Sequence, residues 1–570
     1  MSRTSFEIRR GAYYDSVVLM QLQRALVELD QVIDAGVVMA TPANLELLQQ
    51  NDLLPSDIKA APEDLLIVVR AGNVEDAAQA LSQVDALLAR RRAAVDAEFR
   101  PHGLESAAKM LPEATWVLVS VPGRYAAQVA SQALELDRHV FLYSDNVSLA
   151  DEVRLKQDAA EKGLIVMGPD CGTAMVNGVG LGFANRVRRG RIGLVGASGT
   201  GLQAVTARIH QLGGGVSHAL GTGGRDLKTE VGGRTTLQCL DLLNRDPDTG
   251  VIVLISKPPD PGVSRRVLSS AYTLGKPTVV HFIGYAAPGR KLGNLIFANS
   301  LSEAALIALD LDRENAVPFS TKRAGRDGPA PTAVTEMGRR YLRGLFSGGT
   351  LASEAMRCLG VFLDPLFANL TSDSAAKLPD SLVSQAHTIL DLGEDEFTVG
   401  RLHPMIDNDL RIRRFRQEAA DPEVAIILLD IVLGEGAHPD PAAEWTPVVE
   451  EMRQTHGIEV PILLIGTQDD PQGLESQRER LEGAGARVFE DTASAAEFIF
   501  QHLGVGYEPK VKSIPLDAFT SPLAAINVGL ESFYESLLSQ GAQAVQMDWR
   551  PPAGGDDRLS AILEKMRTKT

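Results

Sequence analysis

The stretch Gly190–Ala204, GRIGLVGASGTGLQA, constrains the fold of this chain more than any other. Ile192–Val195 is a short apolar run of the kind that forms a buried strand. It ends at the small residues Gly196–Gly201, and helical spacing of apolar residues resumes with Leu202 and Val205. A strand, a tight turn and a helix in this order are typical of α/β folds. We therefore expect an α/β protein built on parallel strands.

The turn Ser198–Gly201 has the chemistry of an anion-binding corner. Backbone N–H groups converge where a helix begins, and the helix dipole adds partial positive charge there. Glycine lets an anion approach the backbone closely. The turn has neither the lysine of GxxxxGK[ST] nor the spacing of GxGxxG. We predict that Ser198, Gly199, Thr200 and Gly201 bind phosphate or carboxylate, and the alternative is a serine-capped helix without a ligand.

The landmarks around this turn recur in the same order later in the chain. A small-residue turn opens a helix, and a glycine turn, an Asp-Pro pair, a strand, a proline and a further strand follow. The first copy has Gly196–Gly201, Gly221–Asp226, Asp246-Pro247, Val251–Ile255 and Lys276-Pro277, and the second has Gly344–Thr350, Gly393–Glu396, Asp421-Pro422, Val424–Leu429 and Val460-Pro461. We predict two flavodoxin-like domains, at 191–312 and 335–505, with a linker around Arg323–Pro331.

Two further segments and a tail complete the predicted organisation. Residues 1–100 alternate strand and helix patterns at the length of a ferredoxin-like α/β unit, in which Arg90–Arg92 forms a solvated basic turn. Residues 113–190 have the pattern of half a doubly wound, Rossmann-like sheet. Residues 506–570 show one helix around Leu523–Gln540, a terminal helix from Arg558 and no recognisable chemistry. We interpret this tail as a docking or capping arm.

Composition and charge exclude several classes of function. The chain has 570 residues and a formal net charge of −17, which is unsuited to binding a nucleic-acid backbone. No apolar run reaches the roughly 18 residues of a membrane span, and the N-terminus lacks the apolar core of a signal peptide. Cys171, Cys239 and Cys358 form no CxxC pair, so we predict no metal site and interpret Cys171 as a buried thiol. We expect a cytoplasmic protein with no nucleic-acid or membrane partner.

Three short motifs make residues 113–505 resemble the succinyl-CoA synthetase superfamily. Gly168–Cys171 is similar to the Gly-Pro-Asn-Cys of its α subunit, and Ala197–Thr200 is similar to the Ser-Gly-Thr loop of that subunit. Leu390–Gly393 is similar to the Leu-Asp-Val-Gly-Gly-Gly of the β subunit. The resemblance implies a CoA-binding-type Rossmann domain at 113–190 and two flavodoxin-like domains of the synthetase type. It leaves CoA open as a cofactor.

Nearly the whole chain, including Gly11–Ser16 and Thr41–Glu46, resembles the FdrA family. Members of this family are described as acyl-CoA-synthetase-like. The family context implies a subunit of an oxamate carbamoyltransferase that acts in purine and allantoin breakdown.

The chain departs from the synthetase pattern at catalytic positions. Asn294 stands where the synthetase has the histidine that carries a phosphoryl group, and an amide cannot form that phosphoramidate. Lys257 stands where the synthetase has a glutamate that holds the phosphohistidine. The triple glycine of the β side has become Gly393–Glu396, whose acidic side chains would repel an anion. With no ATP-grasp module in the chain, neither a covalent phosphoryl relay nor self-contained use of ATP is expected.

The residues and the resemblance together predict a carbamoyltransferase subunit that acts on oxamate or oxalurate with carbamoyl phosphate or phosphate. Ser198–Gly201, Gly223 and Gly224 are expected to bind phosphate. The second corner, formed by Ser347, Gly348, Gly349 and Thr350, is expected to bind another anion such as the substrate carboxylate. Lys257 or Arg225 would stabilise the developing oxyanion.

Two other functions stay open at this point. The first is a subunit of an NDP-forming acyl-CoA synthetase, and the second is a non-catalytic scaffold that binds a metabolite. We expect a hetero-oligomer with partner subunits. The scattered histidines are interpreted as core or surface residues rather than general bases, and they are His210, His218, His281 and His403.

Overall fold

The chain divides into two compact units in a computed structural model. The first unit comprises residues 1–171, 179–182 and 517–570, and the second comprises 172–178 and 183–516. Arg90–Arg92, the linker Arg323–Pro331, the predicted terminal helix from Arg558 and most of Gly11–Ser16 lie outside the described residues. No helix in the described part of the chain is both long and apolar enough to cross a bilayer. The structure describes residues 3–10, 16–54, 58–62, 64–88, 100–314, 338–371, 373–505 and 512–551.

The N-terminal segment forms an antiparallel sheet with helices on both faces. Its elements are β1 (Arg3–Arg9), α1 (Ser16–Val27), β2 (Val32–Met39), α2 (Pro42–Gln50), β3 (Leu65–Ala71) and α3 (Val74–Ser82). β3 is the middle strand, so both of its faces are buried. Leu65 and Ile67 pack in the core with α1 and α3, whereas Leu66 and Val68 pack with α2. This arrangement agrees with the predicted ferredoxin-like unit.

Residues 104–167 form the Rossmann-like part of the first unit. The elements are α4 (Leu104–Met110), β4 (Trp116–Val119), α5 (Gly123–Glu135), β5 (His139–Leu142), α6 (Leu149–Lys162) and β6 (Val166–Met167). The three strands run parallel in the order β4-β5-β6. Each residue of β4 and β5 is buried, as expected for strands covered by helices on both faces.

The first flavodoxin-like domain follows. β7 (Thr173–Val176) precedes it, and β8 (Val179–Gly182), next along the chain, belongs to the first unit. The elements of the domain are β9 (Arg189–Gly196), α7 (Gly199–Gln211), β10 (Val216–Gly221), α8 (Arg234–Arg245), β11 (Val251–Ser256), α9 (Pro261–Leu274), β12 (Thr278–Phe282), β13 (Lys291–Leu292), β14 (Leu295–Phe297) and α10 (Leu301–Glu314). The parallel strands lie in the order β10-β9-β11-β12-β14. Counted along the chain, this is the 2-1-3-4-5 order of flavodoxin-like sheets, which confirms the prediction.

The second flavodoxin-like domain repeats this order. Its elements are β15 (Tyr341–Phe346), α11 (Gly349–Leu359), β16 (Leu366–Ala368), β17 (His387–Asp391), α12 (Asp395–Thr398), α13 (Asp409–Ala419), β18 (Val424–Val432), α14 (Pro441–His456), β19 (Pro461–Ile465), α15 (Leu474–Gly483), β20 (Arg487–Phe489) and α16 (Thr492–His502). Its parallel strands lie in the order β17-β15-β18-β19-β20, with β16 at the edge beside β17. The repeat predicted from the landmarks is therefore confirmed.

The C-terminal segment completes the Rossmann-like sheet. Its elements are α17 (Asp517–Thr520), β21 (Ala524–Val528), α18 (Glu531–Ser539) and β22 (Gln543–Met547). β21 pairs in parallel with both β4 and β22, and the sheet order is β22-β21-β4-β5-β6. The prediction of an arm over 506–570 is wrong for these elements, and the helix predicted at Leu523–Gln540 is a strand followed by a shorter helix. A short apolar run such as Ala524–Val528 fits the period of a helix as well as that of a strand. Its pairing with β4 makes it a strand.

Candidate functional site

The predicted residues of the first domain meet at one edge of its sheet. Gly196, at the end of β9, is in register with Gly221 of β10 and with Ile255 of β11. Because parallel strands share their carboxyl edge, the turns that follow these strands lie side by side. The boundary between β9 and β11 is also where the strand order reverses, and open α/β sheets bind ligands there. These turns carry Ser198, Gly199, Thr200, Gly201, Gly223, Gly224, Arg225 and Lys257.

The corner at Ser198 is a capped helix start that still presents amides. Ser198 has an extended backbone, and its Oγ accepts a hydrogen bond from the Gly201 N–H at 3.2 Å. An added Cβ at Gly201 would lie 2.9 Å from that Oγ, so this glycine is required by packing. The N–H groups of Gly199 and Thr200 have no acceptor among the described residues, and they stand at the positive end of the 13-residue helix α7. The cap and the anion corner are therefore compatible.

The turn after β10 is held rigidly beside this corner. The Thr222 N–H donates to the Gly196 carbonyl at 2.9 Å. Asp226 is fully buried, and its carboxylate accepts hydrogen bonds from the Thr236 N–H and hydroxyl at 2.9 and 2.7 Å. Gly223 has φ +87°, a left-handed conformation that favours glycine. Arg225 is half-buried on this turn, and Lys257 is exposed after β11. Their roles at an oxyanion stay predictions.

The second corner is occupied by a carboxylate. The Ser347 N–H and Oγ donate to the two oxygens of Asp430 at 2.8 and 2.7 Å. Ser347 is 1% exposed and Asp430 is completely buried. Both donors of Ser347 are therefore engaged by Asp430, and anion binding by Ser347 stays a prediction that this contact does not favour. The extra glycine of the second turn makes Gly348 the residue before α11, so Ser347 is one position too early to cap the helix.

Asp430 also anchors a buried arginine. Arg411 of α13 donates to Asp430 Oδ1 at 2.8 Å and to the Leu345 carbonyl at 3.0 Å, and its guanidinium lies 5.3 Å from the Trp445 ring. Burial lowers the pKa of Arg411, and the charge of Asp430 opposes that shift. A second carboxylate, Asp391, lies 2.9 Å from a Cβ built on Gly349, and burial raises its pKa. Two carboxylates beneath Gly348, Gly349 and Thr350 make this corner unfavourable for an anion.

Asn294 has a structural role at the opposite edge of the first sheet. Its Nδ2 donates to the carbonyls of Ala271 and Lys276, both at 2.8 Å. Its own carbonyl accepts the Thr278 N–H at the start of β12, so Asn294 lies at the amino edge and Ser198 at the carboxyl edge. The amide joins α9 to the sheet and is remote from the anion corner.

A cavity that sequence reasoning missed lies at the carboxyl ends of β12 and β14. Its volume is about 400 Å³, and His281, Arg290 and Arg357 supply its basic side chains. His281 is 9% exposed, which agrees with its interpretation as a core residue, yet it lines the cavity. No sequence pattern connects these residues, because Arg357 belongs to α11 of the second flavodoxin-like domain. None of the residues proposed from the sequence lines this cavity.

The backbone is closely packed at Gly123, the first corner of the Rossmann-like sheet, where the resemblance would place CoA. α5 begins at Gly123, directly after β4. A Cβ built on Gly123 would lie 2.1 Å from the Asp145 carbonyl oxygen and 2.8 Å from Asn146. The space beside this glycine is therefore filled by the protein's own backbone. We derive no step through CoA.

Two family models match parts of the chain. Residues 1–101 match the model described as the AllF heavy metal-associated domain, and residues 345–499 match the CoA-ligase model. Residues 1–101 contain neither cysteine nor histidine. Since soft metals are bound by thiolate and imidazole, the metal in that description does not fit this segment.

Similar proteins cover most of the chain. YahF of Escherichia coli K12 is 41% identical over 503 residues, which are 86% of this chain and 98% of that protein. The α subunit of the ADP-forming succinate–CoA ligase of Methanothermobacter thermautotrophicus is 27% identical over 184 residues, 31% of this chain and 60% of that subunit. The dinucleotide-forming acetyl-coenzyme A synthetase 1 of Ca. Korarchaeum cryptofilum is 16% identical in sequence, with a TM-score of 0.29 over 68% of this chain and 82% of that one. The chain therefore belongs to the FdrA-like family of acyl-CoA-synthetase-like proteins, which includes YahF.

Proposed function

We propose that this chain is a subunit of an acyl-CoA-synthetase-like enzyme that binds phosphate, or the phosphate of an activated acyl group, at the Ser198–Gly201 corner. The observation that carries this proposal is the start of α7, where the amides of Gly199 and Thr200 stand without acceptors at the switch point of the sheet. Arg225 and Lys257 lie on the adjoining turns and would add positive charge. The CoA-ligase match and the similarity to a succinate–CoA ligase subunit support the enzyme class. A partner subunit would supply any nucleotide site.

In this proposal the phosphate is bound noncovalently. Asn294 cannot carry a phosphoryl group, and both hydrogens of its amide are used by main-chain carbonyls. The corner would act by holding the phosphate in place and by stabilising negative charge with preorganised N–H donors.

Replacing Thr200 by Glu is the direct test of the corner. Thr200 is exposed in the first turn of α7, where a carboxylate stabilises the helix by about 0.3–1 kcal/mol. The same carboxylate would compete with a bound anion, so we expect T200E to weaken phosphate binding at least about tenfold without loss of stability. Equilibrium dialysis with labelled inorganic phosphate and urea unfolding measure the two effects.

The matched control for this test is Thr200→Gln, which has the same size and no charge. T200Q is expected to retain phosphate binding to within about threefold, because side-chain length alone leaves the amides accessible. Absence of phosphate binding by the wild-type protein, or equal binding by T200E, would contradict the proposal.

The chain is also expected to carry no acid-labile phosphate. Phosphohistidine is acid-labile, and position 294 offers an amide that is fixed at the opposite edge of the sheet. Incubation with labelled ATP or acetyl phosphate, followed by acid and base treatment of the trapped protein, measures this directly. A succinate–CoA ligase α subunit treated in parallel provides the positive control. Acid-labile label on this chain would overturn the noncovalent mechanism.

Carbamoyl transfer is the second candidate function, and Asn294 is the observation that favours it. Carbamoyl phosphate is already activated, so its transfer needs a phosphate site and no phosphohistidine. The amide nitrogen of oxamate would attack the carbamoyl carbon, the bond from that carbon to the phosphate oxygen would break, and the nitrogen would lose a proton. Phosphate and oxalurate are the products. Formation of carbamoyl phosphate from oxalurate and phosphate, assayed with and without partner subunits, tests this reaction.

A further inference from the structure

The cavity between β12, β14 and α11 is lined by aromatic and basic side chains, and none of them belongs to the Ser198–Gly201 corner. Its volume of about 400 Å³ falls in the range of small-molecule sites. The aromatic side chains of Phe282, Tyr285 and Phe297 form its apolar wall. Tyr285 and Phe297 stack with their ring planes 21° apart, so this wall is ordered by its own packing. Such a wall with a few polar groups is typical of a binding site for an organic molecule.

His281 contributes a hydrogen-bond acceptor to this cavity. Its Nδ1 lies 2.9 Å from the Ala298 carbonyl oxygen, and a carbonyl can only accept. Nδ1 must therefore carry the hydrogen, and in the neutral ring Nε2 has a lone pair. Within the described part of the chain Nε2 makes no hydrogen bond. His281 as a whole is 9% exposed. Nε2 is accessible to solvent in the cavity, so a hydrogen-bond donor on a ligand can reach it.

Arg357 contributes an unneutralised positive charge. Arg290 is paired with Glu303 at 2.5 Å, and Glu303 is held in place by the Asn299 N–H at 2.6 Å. Arg357 has no carboxylate within 4.0 Å among the residues that the structure describes. A guanidinium binds a carboxylate through two parallel N–H donors. The cavity thus presents one cation without a paired carboxylate and one imidazole nitrogen without a protein partner among the described residues.

We propose that this cavity binds a small carboxylate that carries an N–H or O–H donor close to its carboxyl group. Arg357 pairs with the carboxylate, and His281 Nε2 accepts the hydrogen bond from the donor. Inorganic phosphate keeps one O–H donor at pH 8, so it is the competing anion that the test must include. The proposal is independent of the function proposed for the Ser198–Gly201 corner.

The test uses oxamate as the probe, because it joins a carboxylate to an amide with N–H donors. Titration calorimetry of the full-length protein at pH 8 is expected to show oxamate binding, and Arg357→Gln is expected to weaken it at least about tenfold through loss of a charge-assisted pair. Acetate, which lacks the donor, is expected to bind at least about tenfold more weakly than oxamate. Arg313→Gln, an exposed arginine of α10 away from the cavity lining, is the matched control.

His281→Gln separates the role of Nε2 from folding. Glutamine keeps an N–H donor for the Ala298 carbonyl, and the circular dichroism spectrum reports whether H281Q folds. A folded H281Q that has lost the preference for oxamate over acetate supports the proposal. No oxamate binding by the wild-type protein, equal binding by R357Q, or displacement of oxamate by equimolar phosphate would overturn it. T200E should bind oxamate normally, so failure of the phosphate corner and failure of this cavity are distinguishable.

Discussion

Replacing Arg411 by Met is expected to lower the free energy of unfolding of the second flavodoxin-like domain by about 3–5 kcal/mol. Arg411 is 2% exposed, and it is the buried cation that pairs with Asp430. Methionine fills similar volume but leaves the carboxylate of Asp430 buried without its countercharge. Most of the cost is that uncompensated charge rather than the lost contact itself. Hydrogen exchange of peptides that cover β18, or urea unfolding followed through Trp445, measures the loss.

Arg413→Met on the same helix provides the control. Arg413 lies two positions along α13, its side chain is 75% exposed, and it forms an ion pair with Asp409. Exposed pairs of this kind contribute at most about 1 kcal/mol, so R413M should leave exchange in β18 unchanged. Equal effects of the two substitutions would contradict the buried ion pair. The double variant R411M/D430N should recover part of the loss, because it removes both charges together.

The two flavodoxin-like domains are predictable from the sequence because each depends on local signals. Gly196–Gly201 and Gly344–Thr350 both place small residues where a buried strand passes into a helix, and the strands that follow are continuous apolar runs. The order of these signals along the chain is enough to imply a repeated sheet. The ferredoxin-like unit is predictable for the same reason, since its strands and helices alternate within one continuous segment.

Features that depend on distant residues could not be predicted in this way. Ser198 and Ser347 look equivalent in sequence, but their hydroxyls have different partners, Gly201 N–H in one case and Asp430 in the other. In the second domain Asp430 comes directly after Leu429, which pairs with Leu345. In the first domain the corresponding position, beside Gly196, is occupied by Ile255. The one available signal was a charged residue inside the apolar strand VAIILLDIV. A lone carboxylate there indicates a buried partner, and Arg411 is that partner.

The two corners, Ser198–Gly201 and Ser347–Thr350, differ in how well they suit an anion. The first corner presents amides beside Arg225 and Lys257, whereas the second is closed by Asp430 and carries a raised pKa at Asp391. The first corner is therefore the more favourable of the two for an anion. The cavity beside His281 and Arg357 is the place that we propose for a second anionic group.

Replacing Phe519 by Ala is expected to destabilise the Rossmann-like sheet by about 3–5 kcal/mol. Phe519 is completely buried, and its ring meets the Trp116 ring edge-on with centroids 5.2 Å apart. The adjoining Ala518 carbonyl accepts the Trp116 Nε1–H at 3.1 Å, so α17 is packed directly on the start of β4. Truncation leaves a cavity beside the tryptophan that the surrounding strands cannot close. Hydrogen exchange resolved by peptide measures the effect on each strand.

The pattern of exchange distinguishes a sheet component from a docked arm. Because β21 lies between β4 and β22, faster exchange in F519A should appear together in all three strands and in β5. A docked arm would instead detach alone, with faster exchange confined to residues after Leu516 and none in β4. Phe183→Ala is the matched control, since Phe183 is 57% exposed and its truncation should cost less than about 1 kcal/mol. Unchanged exchange in β4 of F519A would mean that the C-terminal strands do not support the sheet.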